Sequence, residues 1–117
     1  MLTKAELSRI LNSIEGLEVG EGEAFLDAAG KYPKVAYWEM LWRDEMASGN
    51  EYEQVVTYQI SFESNKPRDP ALMSLKKAIN MYGLHPDIYH ERVQSKEAPA
   101  VFHSFFTLEV EENILGD

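Results

Sequence analysis

The stretch Val55-Val56-Thr57-Tyr58-Gln59-Ile60-Ser61-Phe62 decides how this sequence can fold. Large apolar residues recur in it at every second position, and they are Val56, Tyr58, Ile60 and Phe62. A period of two is typical of a β-strand that buries one face and leaves the other toward solvent. The sequence therefore predicts a half-buried antiparallel strand with a polar outer face.

A helix is predicted directly after this strand. Asp69 has the side chain of a helix N-cap, and Pro70 suits the first helical position. Apolar residues then recur at helical spacing, namely Leu72, Leu75, Ile79 and Tyr82. Gly83 fits the left-handed position that ends a helix, and Pro86 prevents the helix from continuing.

Another strand is predicted before the first one, over residues 35–43. Its alternation places Ala36, Trp38, Met40 and Trp42 on one face, and Val35, Tyr37, Glu39 and Leu41 on the other. Because both faces carry large apolar side chains, we expect this strand to be central in the sheet or covered on both sides. Residues 44–50 are predicted to form a long hairpin loop, since they include Ser, Gly and Asn in succession.

The N-terminal part predicts a short helix followed by a loop. Thr3 and Glu6 have the spacing of a capping box. Apolar residues follow at helical spacing, namely Leu7, Ile10, Leu11 and Ile14, and Gly16 ends the pattern. Residues 17–33 are rich in Gly and in acidic residues, so we expect a largely mobile acidic loop with at most a brief edge strand near its start.

Two final strands are predicted over residues 87–94 and 101–111. In the second of these, Phe106, Leu108 and Val110 would point inward and Phe105 outward. The predicted order is α-β-β-α-β-β, with hairpin loops joining the strand pairs. We expect an α+β fold with a mostly antiparallel four-stranded sheet and two helices on one face, in a single domain over residues 1–117.

Composition narrows the class of protein. The chain has 117 residues, with 11 Lys and Arg against 20 Asp and Glu, and its formal net charge is −9. Such a chain repels phosphate backbones, which disfavours ordinary nucleic-acid binding. It has no cysteine, which excludes disulfides and thiolate metal sites. No apolar run approaches the about 20 residues that cross a bilayer, and the N-terminus lacks a secretory pattern, so we expect no membrane and a reducing cytosol.

The chemistry-bearing residues do not predict an enzyme. His90 and His103 fall on neighbouring strands and could face each other, with Glu109 as a third ligand of a metal ion. No ligand spacing that is diagnostic of metal supports this, so ordinary strand histidines are favoured. No serine lies in the sequence context of a nucleophile. We expect no catalytic residue, no cofactor and no metal.

Aromatic residues are too numerous for one buried face. Two helices can cover one face of a four-stranded sheet, yet Phe105 falls on the outer face and the strand at 35–43 is apolar on both. Either residues 17–33 fold over the outer face, or neighbouring subunits cover it. The candidate subunit-interface residues are Trp38, Trp42, Met46 and Phe105.

Five blocks of the sequence resemble one family of proteins. The blocks are VAYWEMLWRDEMASG at 35–49, TYQISF at 57–62, PRDP at 67–70, GLHP at 83–86 and HSFFTLEV at 103–110. They resemble the tail completion, or tail terminator, proteins that are encoded in the head–tail gene cluster of long-tailed bacteriophages. The resemblance covers roughly residues 32–111 and rests on strand patterns rather than on a catalytic signature.

This resemblance implies a non-enzymatic virion protein that forms a ring, commonly a hexamer, at the head-proximal end of the tail tube. The ring would end tail growth and join tail to head. The implied partners are other copies of the chain, the tail tube protein and the head connector, while DNA passes through without specific binding. The implied location is the head–tail junction of the virion, after assembly in the bacterial host cytoplasm.

The residues alone leave other functions open. A small ligand-binding or regulatory α+β domain that dimerises through its sheet would have a pocket near Tyr89, His90 and His103. An acidic protein that imitates DNA would space carboxylates along one face. The acids concentrate instead in residues 15–27 and at the end of the last strand, which disfavours that function.

Overall fold

The structure, a computed structural model, describes residues 2–27, 31–46, 52–95 and 98–115. The strands are β1 (Leu2–Thr3), β2 (Glu18–Glu21), β3 (Lys34–Met46), β4 (Tyr52–Ser64), β5 (Tyr89–Ser95) and β6 (Ala98–Glu111). The helices are α1 (Lys4–Asn12), α2 (Ala24–Asp27) and α3 (Pro70–Met81). Within these ranges no helix has the length and apolarity needed to cross a membrane.

One mixed sheet contains all six strands. Its order is β1-β6-β4-β3-β2, and β5 pairs with β6 beside β1. β4 is antiparallel to β3 and to β6, and β5 is antiparallel to β6. The short strands β1 and β2 are parallel to β6 and β3. The long antiparallel strands thus form the centre, and short parallel strands extend the two sides.

The predicted four-stranded, mostly antiparallel sheet with the order α-β-β-α-β-β and two helices is therefore wrong. The prediction lacks β1 and α2, which have two and four residues, and it allowed only a brief edge strand where the four-residue β2 lies. Elements this short contain at most two full periods, so the apolar pattern reveals them poorly. β1 also takes its partner, β6, from the far end of the sequence.

The hydrophobic core lies on one face of the sheet, which we call the inner face; the opposite face is the outer face. Helices α1 and α3 touch each other and pack on the inner face. The largest fully buried side chains are Leu7, Leu11, Leu75 and Ile79 from the helices and Val35, Val56, Tyr58, Ile60, Phe62, Phe106 and Val110 from the strands. The alternation in β4 predicted its inner-face residues correctly, but the expectation that the outer face is open to solvent is wrong at Val55 and Ser61, which are fully buried.

Both long helices begin as the sequence predicts, and α3 also ends as predicted, whereas α1 ends at Asn12, before the expected Ile14 and Gly16. Thr3 and Glu6 form the capping box, with the Glu6 amide donating to Thr3 Oγ1 at 3.2 Å. Asp69 caps α3 by accepting from the Ala71 amide at 2.9 Å. Gly83 follows α3 with a φ of 79°, a value that a residue with a side chain rarely adopts.

A β-bulge at Met40 interrupts the pairing of β3 with β4. The pairs on either side of it are Glu39 with Tyr58 and Leu41 with Thr57. One extra residue reverses the alternation of side chains in the part of β3 that follows it. Trp38 therefore lies on the outer face and Trp42 on the inner face, and the prediction that these two side chains share a face is wrong.

The segment expected to be a largely mobile acidic loop, residues 17–33, contains β2 and α2. Gly20 of β2 pairs with Ala36, and the ring of Phe25 lies where a Cβ on Gly20 would be. The Lys34 ammonium donates to the Leu26 carbonyl at 2.8 Å. This segment therefore covers part of the outer face, and residues 28–30 lie outside the described ranges.

Candidate functional site

The β3–β4 hairpin extends beyond the rest of the sheet as an arm, which we define as residues 40–46 and 52–54. β6 pairs with β4 only from Val55 onward, and β2 pairs with β3 only as far as Tyr37. Among the described residues, 44–46 and 52–54 thus have only each other as strand partners, whereas 41–43 pair with residues 55–57 of β4, which also pair with β6. The predicted loop at 44–50 is wrong for residues 44–46, which belong to β3.

The arm concentrates exposed apolar surface. Its large apolar side chains are Met40, Leu41, Trp42, Met46 and Tyr52, with exposed fractions of 56%, 54%, 58%, 57% and 61%. A single exposed apolar residue is ordinary, but Trp42, Met46 and Tyr52 lie on one side of this short hairpin and form a patch of the kind that marks an interaction site. This patch is the strongest functional feature of the described residues.

The bulge gives the arm two chemically different faces. Trp42, Asp44 and Met46 lie on the inner side, and Met46 pairs there with Tyr52. We call these four residues the Trp42 face. The indole nitrogen of Trp42 donates to a carboxylate oxygen of Glu39 at 3.0 Å, which orients the ring. The Trp42 face therefore combines three large apolar side chains with one exposed carboxylate.

The four predicted interface residues separate into two groups. Trp42 and Met46 lie on the arm, whereas Trp38 and Phe105 lie half-buried on the outer face of the sheet. The Phe105 ring stacks on Tyr89 with centroids 5.6 Å apart. Because part of Phe105 is already covered within the chain, the arm offers the larger unpartnered surface.

The two strand histidines do not share a face. The register pairs His90 with Ser104 and Glu91 with His103, so adjacent positions place the histidines on opposite faces. His103 Nδ1 lies 2.8 Å from Glu91, and the third expected ligand, Glu109, binds Arg43 at 2.9 Å. The conjectured metal site is therefore not formed, and no group of three potential ligands occurs within the described ranges.

An ion pair connects the base of the arm to β6. Arg43 donates to Glu109, and this hydrogen bond lowers the pKa of the Glu109 carboxyl below its ordinary value while partial burial opposes the change. The same bond raises the pKa of Arg43. Both side chains are well exposed, so the pair adds orientation rather than much stability.

A groove lies between α3 and β5, at the end of the sheet away from the arm, and we call it the α3–β5 groove. Two adjoining cavities of about 350 and 340 Å³ form it, and they share Arg68, Leu72 and His90. Its apolar lining includes Phe62, Leu72 and Phe102. The cationic side chains along it are Lys66, Arg68, Lys76 and Arg92.

The pocket that a ligand-binding domain would have near Tyr89, His90 and His103 is not a single pocket. His90 and His103 line the α3–β5 groove, whereas Tyr89 lines a separate cavity with Phe105. Arg68, at the junction of the two groove cavities, has a φ of 49°. This left-handed conformation costs about 1–2 kcal/mol for a residue with a side chain, so local structure holds Arg68 in place.

Comparison with known proteins adds no family: no family model matches the chain, and no curated protein sequence matches it significantly. Sequence reasoning missed Met40, Leu41 and Tyr52 as arm residues. A signal for Tyr52 was available, because it lies at even spacing from Val56 and extends the same alternation toward the hairpin. The cations of the groove gave no such signal, since they come from separate segments.

Proposed function

We propose that this chain is a non-enzymatic structural protein of a long-tailed bacteriophage. Copies of it form a ring at the head-proximal end of the tail tube, end the growth of the tube and join tail to head. The observation that carries this proposal is the arm, whose five large apolar side chains are each more than half exposed. A surface of this kind is stabilised by a partner that buries it.

Two further features support the proposal. The five sequence blocks that resemble the tail completion proteins include the whole of the described arm strand from β3. A ring subunit also needs two unlike surfaces that fit each other, because only such a heterologous contact can continue around a ring. The net charge of −9 suits a ring through which DNA moves, since like charges repel.

Deletion of the gene from a phage that carries it tests this proposal directly. We expect full heads and separate tails of irregular length in electron micrographs, because nothing would end tube growth. Supplying the intact chain from a plasmid should restore joined tails of one length. A Trp42→Ser chain should fail to do so, although its circular dichroism should match that of the intact chain, since Trp42 is 58% exposed.

Met81→Ser is the matched control. Met81 is 87% exposed near the end of α3 and belongs neither to the arm nor to the lining of the α3–β5 groove, so this variant should restore normal tails. Joined tails of normal length in the deletion strain would refute the proposal. Tails of correct length without heads would refute the terminator role and assign the chain to the joining step instead.

A further inference from the structure

The α3–β5 groove has cations that lack acidic partners among the described residues. Among the described residues, Lys66, Arg68 and Arg92 have no acidic group within 4.0 Å. The acids near the groove are largely engaged: Asp69 is buried as the N-cap of α3, and Glu91 binds His103. Asp87 and Glu91, whose side chain is 54% exposed, add two exposed carboxylates to the lining, against four cationic side chains. The groove is therefore a cationic surface on an acidic protein.

We propose that the α3–β5 groove is the docking site for the arm of a second copy of this chain. The side chains of the Trp42 face would enter the groove, with Trp42 and Met46 on its apolar floor. The exposed carboxylate of Asp44 would lie among the unpartnered cations. This inference rests on the proposed function in one respect, that copies of the chain assemble with one another.

Shape supports this occupant. The two groove cavities have a combined size of several large side chains, and their floor contains the aromatic rings of Phe62 and Phe102. Trp and Tyr are the residues that most often fill such pockets at protein interfaces. The groove is too small for the whole hairpin, so the contact consists of the Trp42 face lying along the groove.

Charge supports it as well. Asp44 is exposed and has no cationic partner among the described residues, whereas Glu45 and Glu53 lie on the opposite side of the arm, where Glu45 binds Arg43. Opposite charges on two apolar surfaces guide their encounter and fix which way they meet. A neutral or basic apolar partner would leave Arg68 and Arg92 unpaired at the interface, which is costly.

Geometry excludes docking within one chain. Trp42 pairs with Val56 of β4, and the lining of the groove begins at Phe62, six residues further along the same strand. Six steps along a strand span about 20 Å, so the Trp42 face cannot reach the groove of its own chain. The contact must join two copies. One contact uses the arm of one copy and the groove of the other. The first copy therefore keeps its groove free and the second keeps its arm free, so further copies can be added, which is what a ring requires.

Charge reversal and rescue test the contact. We expect Asp44→Lys and Arg92→Glu each to weaken self-association about tenfold in sedimentation measurements, because each places like charges together. The double variant carries both changes in every copy, and it should recover most of the lost affinity. Lys77→Glu is the matched control: it reverses an exposed cation of α3 outside the groove lining and should have little effect.

A cross-link provides a second measurement that does not require strong association. The chain has no cysteine, so Met46→Cys and Arg68→Cys introduce the only thiols. Oxidation of a mixture of these two variants should give dimers that contain one chain of each kind. A mixture of Met46→Cys with Met81→Cys should give far fewer mixed dimers.

The outcomes separate this inference from the proposed function. Association that neither reversal weakens, or a double variant no better than the single ones, would overturn the arm–groove contact. The arm–groove contact would also be overturned if oxidation of Met46→Cys with Arg68→Cys gave no mixed dimers at high protein concentration. None of these results would change the tail lengths in the deletion strain, on which the proposed function is judged. Closed dimers, in which the arm of each copy occupies the groove of the other, would support the arm–groove contact and contradict the ring.

Discussion

Tyr58 lies fully buried in the middle of β4, and its hydroxyl donates to a Glu112 carboxylate oxygen at 3.1 Å. Burial first, and then this hydrogen bond, raise the pKa of the Tyr58 hydroxyl well above its ordinary value. The Glu112 amide in turn donates to the Gln54 carbonyl at 3.1 Å. This one side chain therefore connects the core to the segment that follows β6.

The pKa of Tyr58 predicts how stability depends on pH. A group with a raised pKa in the folded state contributes stability that is complete below its unfolded pKa of 10.0 and is lost as pH rises through the folded pKa. We expect the free energy of unfolding to fall at alkaline pH, and to fall less steeply in Tyr58→Phe. Loss of the hydrogen bond should also lower the stability of this variant at neutral pH by about 0.5–1.5 kcal/mol.

Denaturant titrations over a pH series measure both effects. Tyr52→Phe is the control, because Tyr52 is 61% exposed and its removal should leave the alkaline slope unchanged. Tyr37, whose pKa is also raised, remains in both variants, so the slope of Tyr58→Phe should become shallower without disappearing. Identical slopes in the two variants would contradict the buried position of the Tyr58 hydroxyl.

Among the elements, α3 stabilises the fold by packing a regular apolar stripe on the inner face. Leu75 is fully buried at its centre, so Leu75→Ala should leave a cavity and lower the free energy of unfolding by about 2–5 kcal/mol. Lys77 is exposed, and Lys77→Ala should change stability by less than about 0.5 kcal/mol. If chemical denaturation showed Lys77→Ala to be less stable than Leu75→Ala, α3 would have to present a different face to the core.

The elements also show how far the sequence could predict the fold. The period of two in β4, the capping box of α1 and the Asp69-Pro70 start of α3 are local patterns, and each is confirmed. Pairing across the sheet is different, because β1 takes its partner from the last strand along the chain and β2 runs parallel to the strand that follows it. Sequence spacing alone could not supply that information, which explains the wrong strand count.

The candidate site was predictable only in part, for a similar reason. Trp42 was predicted from its apolar character in a strand that is apolar on both faces, whereas Met46 was placed in the loop expected after that strand. The bulge at Met40 has no recognisable sequence signal, so the faces of Trp38 and Trp42 could not be assigned. The α3–β5 groove joins side chains from four separate segments, and only the fold brings them together.

For the whole molecule, the structure predicts a gradient of protection from hydrogen exchange. The amides of β4 between Val56 and Glu63 lie between two strands and should exchange most slowly. Arm residues 44–46 and 52–54 pair only with each other among the described strands, so their amides should open by local fraying and exchange fastest among the long strands. Exchange measured by mass spectrometry in dilute solution can show this difference.

The same measurement at higher protein concentration provides an internal comparison. If arms dock on neighbouring copies, protection should rise in residues 40–46 and around Arg68, while β4 stays as it was. If the arm amides exchanged as slowly in dilute solution as the amides at the centre of β4, the arm would have to pack on its own chain. That result would contradict the exposed position of the arm. Residues of α1, which lie outside both surfaces, should not respond to concentration.

The continuity of β4 from the arm into the body has a mechanical consequence. A pull on the arm along its axis would load β4 in shear against β6, where ten paired positions run from Val55 to Ser64. Hydrogen bonds loaded in shear must give way together, whereas those at a peeled edge break one after another. A subunit that is held by its arm would therefore transmit tension through the central strands of its sheet. The short strands β1 and β2 would carry little of that load.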